Sequence, residues 1–242
     1  MFFDFYANPH RFEKFARIIM PYLLSVGFVI LSVGLYIGLF ASPPDYQQKE
    51  TVRIMYIHVP TAWLAMGLFF SMGLSSIIFL VRRHHIAYLI AKSSAPIGAV
   101  LALICLITGS LWGRPTWGTY WIWDARLTSM LVLFFLYLGY ILINHTIDDT
   151  HRAAKISSIF ALIGCIDIPI IKFSVEWWHT LHQGASVIRS GGSSIHASML
   201  TPLLISALGL CLLVAGLILM GTLTHLMTLK VKRYYQRQVA DG

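Results

Sequence analysis

The stretch "PLLISALGLCLLVAGLILMGTL", residues 202–223, runs for 22 residues without a single charged side chain. A helix of that length matches the hydrocarbon core of a bilayer, which takes roughly 17 to 25 apolar residues to cross. Five further runs of the same kind lie upstream, at 18–41, 62–81, 95–112, 127–144 and 156–171. The last of these is slightly short and contains Asp167 and Pro169, so its limits are the least defined by pattern. Composition agrees with spanning helices. Apolar residues make up 57% of the 242 and charged ones 12%, against about 25% charged in soluble domains. The sequence predicts an all-α polytopic membrane protein: one domain over residues 1–242, with six transmembrane helices and no repeat, low-complexity tract or linker. The first span is too long for a signal-peptide core and has no small-residue cleavage site close behind it, so it is expected to stay in the mature protein.

The formal net charge of +8 would suit nucleic acid, but its placement speaks of orientation. With these boundaries the N-terminal tail, the second and fourth loops and the C-terminal tail hold 12 Lys and Arg in 60 residues, against 6 in the 64 residues of the odd-numbered loops. By the positive-inside rule both termini are cytoplasmic, and the first, third and fifth loops share the outer face. The basic "KVKRYYQR" at 230–237 reads as a solvated tail beside membrane lipid, and no nucleic-acid partner is expected. Cys105, Cys165 and Cys211 each fall within a span, with neither C-x-x-C nor C-x-x-C-H, and read as small buried apolar residues.

The third loop and its margins carry "WGRPTWGTYWIWDARLTS", residues 112–129, with four of the chain's seven tryptophans. The fifth holds "VEWWHTLHQG", and the first holds "RIMYIHVP" just ahead of the second span. Six of the seven tryptophans lie in or beside the third and fifth loops, while Trp63 alone starts the second helix. An interfacial belt populates both membrane faces, so this asymmetry favours a binding surface over a belt. Were the segment helical from Pro115, Trp117, Tyr120, Trp121 and Asp124 would share one face; with Gly118 inside it, an irregular loop fits as well.

His58 and His182 lie in aromatic contexts on the same expected face, far apart in sequence. Imidazole suits iron, copper and zinc, whereas a structural zinc site asks for more ligands at closer spacing. Metal ligation and a plain pair of interfacial histidines both fit these residues, and His179, three before His182, rivals it as a ligand. Flat aromatic contact, two axial imidazoles and a cationic edge together suit haem, whose carboxylates match the guanidinium fork. Arg53, Arg114 and Arg126 are the candidates for that edge, Arg114 being equally a helix-end anchor.

Other chemistry is absent from the pattern. There is no G-x-x-x-x-G-K-[ST] for nucleotide phosphates and no nucleophile signature, so no enzyme is expected. No histidine falls inside a predicted span, where a transmembrane b-type cytochrome would carry its ligands. Asp167 lies in a span and is a functional candidate by its cost alone.

"WGRPTWGTYWIWDARLT" closely resembles the tryptophan-rich WWD motif of haem-handling membrane proteins, and "IHVP" with "VEWWHTLHQG" resembles the paired histidine loops of the CcmC family of cytochrome c maturation. The likeness covers nearly the whole chain; Tyr120 stands where the family often has Trp. It implies haem b as a transient cargo, with His58 and His182 as axial ligands. Trp117, Trp121, Trp123 and Asp124 would form the platform, with Trp112, Arg53 and Arg126 as further contacts. It also implies a bacterial inner membrane, presentation of haem at the periplasmic face, transfer to the haem chaperone CcmE, and CcmD with the ABC transporter subunits CcmA and CcmB as partners. A membrane electron-transfer subunit with permanently bound haem is the alternative, and a scaffold with no haem a third reading.

Overall fold

The computed structural model describes residues 8–178, 180–182, 184, 186–187 and 191–241. They form helices and connecting turns, with one isolated bridge between Asp45 and Lys49. Helix α1 (Pro9–Tyr36) starts where Asn8 Oδ1 accepts from the His10 and Arg11 amides, and closes in a π-turn, Ile37–Ala41. After a 3₁₀ turn, Glu50–Ile54, come α2 (Met55–Arg82), α3 (His85–Trp117), α4 (Ala125–Thr146), α5 (Thr150–Gly164), α6 (Asp167–Trp177) and α7 (Ala197–Asp241). Six stretches are long and apolar enough to cross a membrane, α5 and α6 together making the fifth.

The fifth span is broken for a local reason. Pro169 has no N–H to return to the Cys165 carbonyl, and the Ile168 amide bonds that oxygen instead at 3.2 Å. The chain therefore leaves α5 at Cys165 and restarts as α6, with Pro169 in the first turn where it is tolerated. The break changes the packing. Helix α5 lies against α2 and α4, whereas α6 lies against α4. Asp167, at the restart, is 8% exposed and its Oδ2 has no hydrogen-bond partner among the described residues.

The core sits where α2, α3 and α4 meet. Tyr137 is fully buried and donates from Oη to the Ala65 carbonyl at 2.6 Å, with Phe69 edge-on at 5.0 Å. Gly98 gives that ring its room, since a Cβ there would lie 2.1 Å from Tyr137 Cζ. Helix α1 packs along α7, where small residues allow backbone contact: a Cβ on Gly209 would lie 2.2 Å from the Leu31 amide nitrogen. Its other face carries Tyr22, Phe28, Val29 and Phe40 outward, apolar surface suited to lipid.

Every helix reaches beyond the apolar run that marked it. His58 therefore lies within the second spanning helix and not in a loop, and His145 and His225 also fall inside spanning helices. The expectation that no histidine occupies a span is corrected on this point. Hydropathy detects lipid-compatible side chains, while the helix continues through polar residues as long as its backbone bonds do.

Candidate functional site

A cavity of about 320 Å³ opens at the end of the bundle where α2 and α4 begin and α3 and α6 finish. Helix α2 contributes His58, Ala62, Trp63 and Met66; α3 contributes Cys105, Gly109, Trp112 and Trp117. Arg126 and Met130 come from α4, Lys172 and Glu176 from α6, and His182 from the loop beyond. Gln48 ahead of α2 also lines it, so residues of the first, third and fifth loops meet at one end of the molecule.

Helix geometry brings the α2 wall together: His58, Ala62 and Met66 are four apart and share a face. His58 Nδ1 is 3.1 Å from both the Cys105 carbonyl and Thr108 Oγ1. A carbonyl only accepts, so Nδ1 carries the proton and Nε2 holds the lone pair. The Thr108 hydroxyl donates to the Ile104 carbonyl at 2.6 Å, which leaves its oxygen free to accept from His58 as well. Opposite the backbone of Gly109, the ring has no Cβ to meet: one built there would stand 3.0 Å from His58 Cε1. Trp112 lies edge-on to His58 at 5.7 Å and is fixed by its own indole N–H, which donates to Gln48 Oε1 at 2.9 Å.

His182 is held by Asp124. The carboxylate Oδ2 accepts from His182 Nδ1 at 2.7 Å, and the two side chains are 9% and 19% exposed. Asp124 Oδ1 accepts from the Leu127 amide at 2.8 Å, which makes the same residue the N-cap of α4. Burial lowers the pKa of His182 and outweighs the opposing pull of the Asp124 carboxylate, so the imidazole stays neutral somewhat below its ordinary range. Trp117 packs edge-on against His182 at 4.7 Å. Arg126 Nε donates to Ser174 Oγ at 3.2 Å, tying the start of α4 to α6.

The helical and irregular readings of the tryptophan segment each describe part of it. Helix α3 continues through Pro115 to Trp117 and stops at Gly118, whose φ of +80° is open to glycine at no steric cost. Residues 119–124 are then irregular until Asp124 restarts the helix. The structure thus gathers His58, His182, Trp112, Trp117 and Arg126 around one cavity, with Asp124 behind His182. It does not bring Trp121, Trp123 or Arg53 to that cavity. Trp121 packs on the core with its indole N–H buried and unpartnered among the described residues, and Trp123 stands edge-on to it at 5.4 Å, 75% exposed. Arg53 is bound to Glu50 at 2.5 Å and donates to the Leu39 carbonyl. Arg114 bonds the Gly118 carbonyl and lies over the Tyr120 ring at 5.6 Å. His179 lies outside the described residues.

Trp63, Lys172 and Glu176 were not singled out as site residues by sequence. Trp63 carried a faint signal, five residues after His58 on the same helix; the two α6 residues carried none. Among the described residues no group of three or more His, Cys, Asp or Glu could hold a metal ion, so the donor set is two imidazoles in an aromatic setting. That set fits the axial demand of haem iron better than a protein-only metal site.

The chain resembles known proteins over nearly its whole length. The family model for heme exporter protein C matches residues 2–237. Heme exporter protein C of Bradyrhizobium diazoefficiens is 47% identical over 234 residues, which cover 97% of this chain and 89% of that protein. The protein of the same name from Escherichia coli K12 is 45% identical over 227 residues, 94% of this chain and 91% of its own. A putative cytochrome c biosynthesis ccmC-like mitochondrial protein of Marchantia polymorpha is 45% identical over 181 residues, 75% of this chain and 76% of its own. With the match running nearly end to end, the chain belongs to the heme exporter protein C family, CcmC.

Proposed function

We propose that the chain binds haem b in transit, with the iron between His58 and His182, and releases it to a carrier. The observation that carries this reading is the pair of anchored imidazoles lining one cavity. Each Nδ1 is engaged by an acceptor, the Cys105 carbonyl or the Asp124 carboxylate, and each Nε2 has no hydrogen-bond partner among the described residues. Metal-binding histidines are held in this way, with the second ring nitrogen donating to a carbonyl or carboxylate that fixes tautomer and orientation. Trp63, Trp112 and Trp117 supply flat apolar wall for a porphyrin.

The rest of the proposal concerns setting. The charge bias of the loops supports cytoplasmic termini and a cavity at the periplasmic face of a bacterial inner membrane. The family supports a place in cytochrome c maturation, with an ABC exporter of CcmA and CcmB type, the small protein CcmD and the chaperone CcmE as partners. Transfer is the task, so the chain acts by holding and handing over its cargo and not as an enzyme. The test is the visible spectrum of the purified protein as wild type, His58→Ala and His182→Ala. A Soret band with low-spin bis-imidazole features in the wild type, lost or shifted in each variant, is the expected result. Haem bound with an unaltered spectrum in both variants would overturn the axial assignment.

A further inference from the structure

Two cationic side chains line the cavity, Arg126 on α4 and Lys172 on α6. Arg126 is already engaged with Ser174. Lys172 makes no hydrogen bond or ion pair with any described residue, although Glu176 follows one turn later on the same helix. An i,i+4 pair of opposite charges commonly closes on a helix surface, so its absence leaves the ammonium available. Lys172 stands five residues before Trp177, about 7.5 Å from that end of the helix at 1.5 Å per residue, and is exposed where it lines the cavity.

The break at Cys165 and Ile166 explains how such a residue reaches the cavity. Helix α6 leans on α4, and the space it leaves beside α2 is walled by His58, Ala62, Trp63 and Met66 on one side. Lys172 and Glu176 line the same space from α6. His58 and its apolar neighbours line the α2 side, while both cations come from α4 and α6. A flat ligand with two carboxylates on one edge meets matching chemistry in one orientation, carboxylates toward α6.

We propose that Lys172, acting with Arg126, binds the propionate carboxylates of haem and sets which edge of the macrocycle faces α6; this rests on the haem reading above. Lysine offers a point charge with three donors beside the fixed fork of arginine, so the two can engage separate carboxylates. Glu176 lines the same wall and leaves these three side chains one positive charge in excess, which attracts a dianionic edge without fully neutralising it. That balance suits a cargo that must leave.

The test is a Soret titration of the detergent-purified full-length protein with haem b and with its dimethyl ester, as wild type, Lys172→Met and Lys172→Arg. Methionine keeps an apolar unbranched stem, so insertion and folding are spared. The expected wild type prefers the free acid to the ester. Lys172→Met loses about tenfold of that preference, the value of one charge-assisted hydrogen bond, through weaker binding of the acid alone, and Lys172→Arg restores it. Equal weakening of acid and ester, as a lipid-headgroup or packing role would give, overturns the proposal, and so does no change in either. A wild type that binds neither ligand removes the haem reading itself. A Soret band that needs His58 but ignores Lys172 removes only this inference.

Discussion

Asp124 joins two functions through its two oxygens: Oδ1 caps α4 at the Leu127 amide and Oδ2 receives the His182 Nδ1 proton. Asparagine keeps an acceptor for the cap but loses the charge, so Asp124→Asn should spare helix stability and loosen the imidazole. We expect haem affinity at neutral pH to fall about tenfold in Asp124→Asn, as for other partners behind a metal-bound histidine, measured by Soret titration. Asp124→Ala should add a loss of about 1 kcal/mol in thermal stability, the cost of a missing N-cap. The pH response follows from the sign of the His182 shift. Its folded pKa lies below the ordinary 6.5, so stability linked to this residue is complete above 6.5 and declines as pH falls toward the folded value. Haem retention should likewise be flat from about pH 8 to 6.5 and decline only in more acidic solution. Removing the Asp124 charge withdraws the contribution that raises the His182 pKa, so the decline in Asp124→Asn moves to lower pH. A midpoint that stays put or rises would separate Asp124 from the titration of His182.

At the scale of the helix, the fold rests on close approaches that a single methyl disturbs. Gly98 faces Tyr137, whose ring is pinned at its hydroxyl by Ala65, so the ring has little freedom to yield. Gly98→Ala should cost about 1 to 3 kcal/mol by overpacking, read as a lower thermal midpoint in detergent. Gly67→Ala on α2 is the control, because a Cβ there meets nothing within 4 Å. Equal midpoints for the two variants would show that Tyr137 can move aside. The same scale shows what sequence carries and what it does not. Apolar runs located all six spans, because lipid demands them, but they began α2 and α3 too late. Helix α2 begins at Met55 and α3 at His85, well before the runs at 62 and 95. His58 thus moved from loop to helix while keeping its partner His182. The spacing that placed Trp121 on the face of Trp117 assumed a continuous helix, and Gly118 ends it. Lys172 had no local pattern to mark it, since its relation to the cavity depends on the break before α6 and on the packing of α6 against α4.

Across the whole molecule the two ends differ in chemistry. One gathers Gln48, Trp112, Trp117, His182 and the cavity. The other carries Arg82, Arg83, Arg152 and Lys155 at the turns of α2–α3 and α4–α5, with Glu13 bonded to Lys230 at 2.5 Å where α1 begins and α7 runs out. That pair is partly exposed and adds little stability, but basic residues at this end oppose translocation. The prediction is directional. In intact cells a membrane-impermeant maleimide should label Gly184→Cys, at an exposed position beside the cavity, and should label Lys232→Cys only after the membrane is opened. The wild type serves as the blank: Cys105 is buried, Cys165 half-buried, and Cys211, although exposed on α7, lies within the span. The reverse pattern would leave the cavity and its two imidazoles intact but turn them toward the cytoplasm. Haem would then be received there and not presented outside, and a periplasmic carrier could not take it from this site. Labelling of both positions in intact cells would point to mixed insertion, which a bias of 12 basic residues against 6 is expected to prevent.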